Sequence, residues 1–249
     1  MGMIVLKNEK QIKFIKEACQ IVKQTLDLME KNVKPGVTTK QLDKLAEDFI
    51  RSKGAIPAFK GYGGFPATIC ASPNEQVVHG IPNDVPLKEG DIISIDVGAT
   101  KRGYNGDAAR TFAVGKISKQ KQDLIDHTKQ SFYEGVKAIK VGGHIGDISA
   151  SIQKYAESKG YSIVRELIGH GIGKEVHEDP QVPNFGTENT GPIIENGLVI
   201  AIEPMVNIGK KEIMFESDGW TCKTKDKKAS AHYENTIAIT DGKVEILTV

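Results

Sequence analysis

The chain has 249 residues, 39% hydrophobic and 26% charged, enough for one large domain or two modest ones with an ordinary soluble core. A net charge of +1 argues against a broad surface for nucleic acid or membranes. Three cysteines (Cys19, Cys70, Cys222) without CxxC spacing argue against a disulfide framework or a thiolate zinc site and fit a reducing cytoplasm.

The opening MGMIVLKNEKQ carries an apolar run too short for a signal-peptide core, and no later run approaches a membrane span. Met1-Gly2 ahead of Met3 has the form of a cloning remnant. Ile12, Ile15, Cys19, Val22, Leu26 and Met29 recur at spacings of three and four, which predicts an amphipathic helix ended by Pro35-Gly36. Thr38 or Thr39 is placed to cap a second helix, with Leu42, Leu45, Ala46, Phe49 and Ile50 inward and Gly54 as its stop. From Pro57 to Pro86 the chain is rich in Gly and Pro. It holds short strand-like pieces and is too long for a mere connection.

Ile93, Ile95 and Val97 then alternate with Ser94 and Asp96, a strand signature. Turn formers near Lys101 to Gly103 predict a hairpin that sets Asp96 opposite Asp107, on one face. Leu124, Ile125, Thr128, Phe132, Val136 and Ile139 predict a third helix, broken by Gly142-Gly143. Asp147 is the expected cap of a fourth, with Ile148, Ile152 and Tyr155 inward and Gly160 as its stop. The two helix pairs match at an offset of 106 residues. Lys34, Gly36, Leu42, Phe49, Ser52, Lys53 and Gly54 fall on Lys140, Gly142, Ile148, Tyr155, Ser158, Lys159 and Gly160. Any two amphipathic helices align roughly, but the identical Ser-Lys-Gly ends favour a true repeat. The expected fold is α+β, with two similar halves (approximately 9–113 and 118–249) around a shared sheet, in one domain over 1–249.

Chemistry gathers in both halves. Asp96 and Asp107 repel each other if they share a face, and a cation removes that penalty. Two solvated surface aspartates are the bland alternative. The apolar flanks of the first strand weaken it. In the second half, His170 lies in the glycine-rich run LIGHGIGKEVHEDP, where the backbone can bend closely around a bound group. His177 follows. Glu203 closes the apolar run LVIAIEP, where a carboxylate needs a partner, and Glu234 lies in the strand-like SAHYENTIAIT. Taken singly, each is an ordinary polar residue. Together, four carboxylates and one neutral nitrogen balance two divalent cations. Oxygen and nitrogen ligation without sulfur suits manganese, iron, cobalt or zinc. It does not suggest a closed structural zinc site.

CASPNEQVVHGIPND, DIISIDVGA with GYNGDAARTF, GHGIGKEVHEDP, GLVIAIEPM and SAHYENTIAIT resemble, in order and spacing, the type I methionine aminopeptidases of the pita-bread fold. The resemblance runs over nearly the whole chain. It implies a curved, mainly antiparallel sheet and two divalent ions per chain (Co2+, Mn2+, Fe2+, Zn2+ or Ni2+). Asp107 and Glu234 would bridge the ions, Asp96 would bind one, and His170 with Glu203 the other. Glu203 would also shuttle protons. His79 would contact the scissile amide or help protonate the leaving amine, and His177 would hydrogen-bond the substrate carbonyl. Tyr62, Phe65, Cys70 and Trp220 would line a methionine pocket, soft walls for a thioether.

The activity implied is removal of the initiator methionine before a small second residue, through a metal-bound hydroxide. It would be carried out in the cytoplasm by a monomer near the ribosome, with no membrane or specific nucleic-acid partner. Three positions depart from the pattern. Gly63 and Asn235 stand where histidines are common, and Val176 where a larger apolar residue is usual. No ligand is lost. Two rivals remain: a proline-directed peptidase on the same fold, which usually carries an added N-terminal domain, and a binding protein that has lost catalysis.

Overall fold

A reciprocal pair of hydrogen bonds starts the first helix. The Gln11 N–H donates to Asn8 Oδ1 (3.0 Å), and the Asn8 N–H donates to Gln11 Oε1 (2.9 Å). The structure, a computed structural model, describes residues 3–249; Met1-Gly2, with its reading as a cloning remnant, lies outside the described residues. Helix α1 (Glu9–Asn32) buries Ile12, Ile15, Cys19, Val22, Leu26 and Met29, the face its spacing predicts. Helix α2 (Thr39–Ser52) is capped by Thr38 through the same kind of box with Gln41. It buries Leu42, Ala46 and Ile50, while Leu45 and Phe49 are only partly covered.

Short strands β1 (Ile56–Pro57), β2 (Ile69–Pro73) and β3 (Gln76–Val78) lead to a long hairpin of β4 (Ile92–Lys101) and β5 (Tyr104–Ala113). The second half opens with α3 (Lys119–Lys137) and α4 (Ile145–Ser158). Thr39 to Ile145 and Ser52 to Ser158 are each 106 positions apart, so α4 repeats α2 end to end. Asp147 does not occupy the cap position expected of it. His144 does, and Asp147 accepts the His144 N–H (2.8 Å) from within the first turn, where the helix dipole favours a carboxylate.

Ten strands follow: β6 (Ser162–Ile163), β7 (Gly169–Gly171), β8 (Glu178–Val182), β9 (Val199–Ile202), β10 (Met205–Asn207), β11 (Ile213–Phe215), β12 (Cys222–Thr224), β13 (Ser230–His232), β14 (Asn235–Thr240) and β15 (Lys243–Ile246). They pair as β15-β14-β9-β7-β8, as β13-β10-β6 and, with β3, as β11-β12-β3; β1, β5 and β2 all pair with β4. Every described ladder is antiparallel.

The halves are stitched where β5 meets the start of β14. Ala109 and Glu234 exchange backbone hydrogen bonds (3.3 and 3.0 Å). The Asp107 N–H donates to Thr236 Oγ1 (3.1 Å), which donates back to the Asp107 carbonyl (2.8 Å). This seam makes the ladders one curved antiparallel surface. Helices cover its outside in the same way in each half. Val22, Leu42 and Ile50 pack with Ile93, Ile95 and Val97; Phe132, Ile148 and Ile152 pack with Ile200, Ile202 and Ile237. Strand residues of opposite parity, Asp96 among them, therefore face inward, away from the helices.

Two strand expectations need correction. The hairpin turns at Arg102-Gly103, both with positive φ (+53° and +74°), one residue later than the turn that would set Asp96 opposite Asp107. Asp107 thus pairs with Gly98, and Asp96 with Ala109. The two aspartates are diagonal neighbours on one face, not direct opposites. The run 230–240 is two strands, not one: β13 pairs with β10, β14 pairs with β9, and Tyr233-Glu234 lie at the break. Asn235 to Ile239 are all buried, so no alternation marks where one strand ends.

Candidate metal centre

Strand ends converge on the inner face. Asp96 and Asp107 come from the hairpin, His170 from the middle of β7, Glu203 from just after β9, and Glu234 from the β13–β14 break. The five predicted ligands meet there. The glycines beside His170 have a packing role. A Cβ at Gly169 would stand 2.4 Å from the Ala201 carbonyl oxygen, and one at Gly171 2.2 Å from that of Asp179. They let β7 lie close between β8 and β9. The His170 Nδ1–H donates to the Gly171 carbonyl (2.9 Å). Its Nε2 lone pair then faces Glu203 Oε1 (3.6 Å) and Asp107 Oδ2 (3.9 Å).

Asp107, His170 and Glu234 offer donor atoms all within 4.8 Å of one another, and so do Asp96, His232 and Glu234. His232 was not in the predicted set. Its signal was present: it stands two residues before Glu234 in the same strand-like run.

Burial dominates the electrostatics. It pushes the Asp96 carboxyl up to about 7, against the hydrogen bond to Asp107. Asp107, Glu203 and Glu234 are raised further, by burial first and by one another second. Burial draws the imidazoles down, His170 and His232 to about 3 and His79 to about 4. Asp96 Oδ1, Asp107 Oδ1, Glu234 Oε1 and both His232 nitrogens are buried without a hydrogen-bond partner. Four carboxyls that raise one another, and orphaned oxygens beside neutral imidazoles, are a donor set made for cations. The two clusters, sharing Glu234, fit a dinuclear divalent centre. Cys70 lies nearby, but burial holds its thiol well above the usual range, so it offers no thiolate.

These groups form one wall of a cavity of about 170 Å3, and Phe59, Tyr62, Gly63, Phe65, Cys70 and Trp220 form the other. All four predicted pocket residues are there; Phe59, in the Gly/Pro-rich stretch, is an addition that no periodicity announces. His79 and His177 stand between the walls. His79 has a positive φ (+58°), a conformation costly for a residue with a Cβ. His177 lies at the exposed mouth, its pKa drawn down by partial burial. Its Nδ1 is 2.9 Å from the Tyr62 hydroxyl, and its ring meets that of His170 edge-on at 4.3 Å.

Of the three departures, Gly63 lines this cavity, Val176 packs behind it, and the Asn235 side chain faces away from it. Gly63 (φ +55°) has space for a Cβ 3.4 Å from the Trp220 ring. Val176 is buried with Phe59 and Phe65. Asn235 Oδ1 accepts from Arg110 (2.6 Å) and Thr248 (2.9 Å), and the same guanidinium stacks on Tyr233.

The model of metallopeptidase family M24 matches residues 13–241. A methionine aminopeptidase of Clostridium acetobutylicum is 55% identical over 248 residues, covering 99% of this chain and 99% of that protein. The structure of a methionine aminopeptidase from Rickettsia prowazekii superposes with a TM-score of 0.98 at 42% identity, over 99% of this chain and 100% of that one. A prolidase from Pyrococcus furiosus shares the fold alone, at 23% identity and a TM-score of 0.81, over 98% of this chain and 65% of that one. The chain belongs to metallopeptidase family M24, among its methionine aminopeptidases.

Proposed function

We propose that this metal-dependent aminopeptidase removes the initiator methionine from new proteins whose second residue is small. One observation carries the proposal: a single small cavity joins an aromatic and sulfur-lined wall to the carboxylate and imidazole cluster. An unbranched thioether side chain packs well on Phe65, Cys70 and Trp220, and that brings the peptide bond beside the donors.

Asp96, Asp107, His170, Glu203 and Glu234 would hold the ions. Two divalent ions polarise a carbonyl and lower the pKa of a nearby water toward about 7. The chain's own groups handle geometry and protons. The free α-amine would bind at the ion-loaded centre, which would restrict cleavage to the first residue. Glu203 takes a proton from the attacking water and passes it to the leaving amine. The Tyr62 hydroxyl donates to His177 Nδ1, which keeps the proton on Nε2. That N–H then donates to the carbonyl oxygen as charge builds there. His79 is neutral above about pH 4, so it donates to the scissile nitrogen as an imidazole, not as a cation.

No described helix is long and apolar enough to cross a membrane, and all three cysteines are free and buried. Free cysteines suit a reducing cytoplasm; action there, near the ribosome, by a monomer with one catalytic domain is part of the proposal. The test is a cleavage comparison with the metal-reloaded protein. Peptides of the form Met-Gly-Met are expected to lose one methionine. Peptides with a bulky second residue should be poor substrates, and X-Pro peptides should stay intact. Preference for X-Pro would replace the proposal with a proline-directed activity.

A further inference from the structure

His232 belongs to one of the two donor clusters but is not among the five residues assigned above to hold the ions. It is the last residue of β13, it is fully covered, and neither ring nitrogen has a hydrogen-bond partner. An apolar residue of similar shape would avoid the cost of desolvating those nitrogens. The backbone beneath it is fixed. Its N–H donates to Thr111 Oγ1 (2.9 Å), and that hydroxyl donates to the His232 carbonyl (2.9 Å). Ser94 Oγ supports the same hydroxyl at 2.8 Å.

The ring is thereby held toward the carboxylates. Nε2 lies 3.7 Å from Glu203 Oε2 and 3.7 Å from Glu234 Oε2. These gaps are too long for hydrogen bonds. They suit donors around a shared ion. Two donors, each about 2.1 Å from a metal, stand roughly 3.4–3.6 Å apart at tetrahedral to trigonal angles. His170 Nε2 keeps a like distance, 3.6 Å, from the other oxygen of Glu203. Glu203 thus sits between two imidazoles, one facing each oxygen. Asp96 and Glu234 complete a compact set with His232.

We propose that His232 is a sixth metal ligand, binding through Nε2 on the Asp96 side of the centre, so that each ion has its own imidazole. This rests on the dinuclear centre proposed above and adds to it a nitrogen on the side otherwise built of carboxylates. Imidazole there favours cobalt, iron or zinc over manganese in that position. The His170 ring is braced by the Gly171 carbonyl and the His232 ring has no such brace, so His232 is the weaker nitrogen ligand.

The test uses wild-type protein with isotopically labelled histidine nitrogens, loaded with two equivalents of NMR-active cadmium. Metal–nitrogen coupling is expected in two imidazoles, His170 and His232. Coupling in His170 alone overturns the proposal and leaves the centre standing; coupling in neither overturns both. A second readout is Co2+ titration followed by its visible bands. His232→Gln is expected to bind the second equivalent about tenfold more weakly or worse, with altered bands and an unchanged first equivalent. Identical titrations of wild type and variant overturn the proposal. If the variant fails to fold, the cadmium spectrum of the wild type decides alone.

Discussion

The two walls of the cavity are built differently. The donor wall comes from strands and strand ends, braced by the seam between β5 and β14 and backed by helices on the far side. The apolar wall comes largely from the Gly- and Pro-rich segment between β1 and β2 and from Trp220 before β12. Tyr62 in that wall is 39% exposed, whereas Asp107 and Glu234 in the other are 3% and 1% exposed. Asp96, Asp107 and His170 sit on ladders, and Glu203 and Glu234 sit at the strand ends beside them. Tyr62, Phe65 and Trp220 sit on connections, while Cys70 lies in β2 opposite Asp96. The chemistry is therefore expected to survive changes to the apolar wall, and selectivity to change without loss of metal.

The largest effect that tests this division belongs to Asp107→Ala. It removes a donor of the Asp107, His170 and Glu234 cluster and should lower turnover about 1000-fold or more, with loss of metal in elemental analysis. Full activity in the metal-depleted variant would contradict the mechanism. His79→Ala comes next. Turnover should fall about 100- to 10,000-fold with metal content nearly unchanged, as for a group that handles a proton or hydrogen bond and holds no ion. Loss of metal in that variant would move His79 into the donor wall. Trp220→Ala tests the other side. It should cost about 10- to 100-fold in kcat/KM for peptides beginning with Met, with cation affinity unchanged in titration.

The smallest effect is on stability and concerns the donor wall without its ions. Asp96 titrates at about 7 in the folded chain against 3.8 as a free side chain, and Asp107, Glu203 and Glu234 shift the same way. The native state then holds more protons than the unfolded one, so stability is full at low pH and falls as pH rises through the folded values. His79, His170 and His232 are lowered and act oppositely, but only below their ordinary 6.5. The window that isolates the carboxyls therefore opens above about pH 6.5. Chelator-treated protein should melt a few degrees lower as pH rises within it, and added cation should narrow the gap. A flat profile would mean that the carboxyls are better solvated than their burial indicates.

Sequence carried the donor wall further than the apolar one. Alternation around Asp96 and the 106-residue offset were enough to foresee paired halves, because regular strands and helices leave periodic marks. The register of the hairpin came out wrong because a tight turn moved by one residue keeps a similar composition yet shifts the pairing by two, from Asp96 to Gly98 opposite Asp107. The break at Tyr233-Glu234 was invisible because β13 and β14 are buried on both faces. His232 was missed since a histidine in an apolar strand usually has a bland partner, and only coordinates reveal that this one has none. The apolar wall rested on resemblance alone: Phe65, Cys70 and Trp220 read as plain core until the fold brings them to one cavity.

The seam also sets an order in time. It joins Asp107 to Thr236, 129 residues apart in the chain. The β4–β5 hairpin closes over a two-residue turn and can form early, carrying Asp96 and Asp107 together. Glu234 reaches them only after the whole intervening half has been made and folded, since its own strand must dock on β9. During synthesis the chain would thus present two aspartates for most of its emergence and a complete cation site only near the finish. Uptake of the ions becomes a late clock for folding, and a chain released before β14 has no means of holding them as the finished protein does.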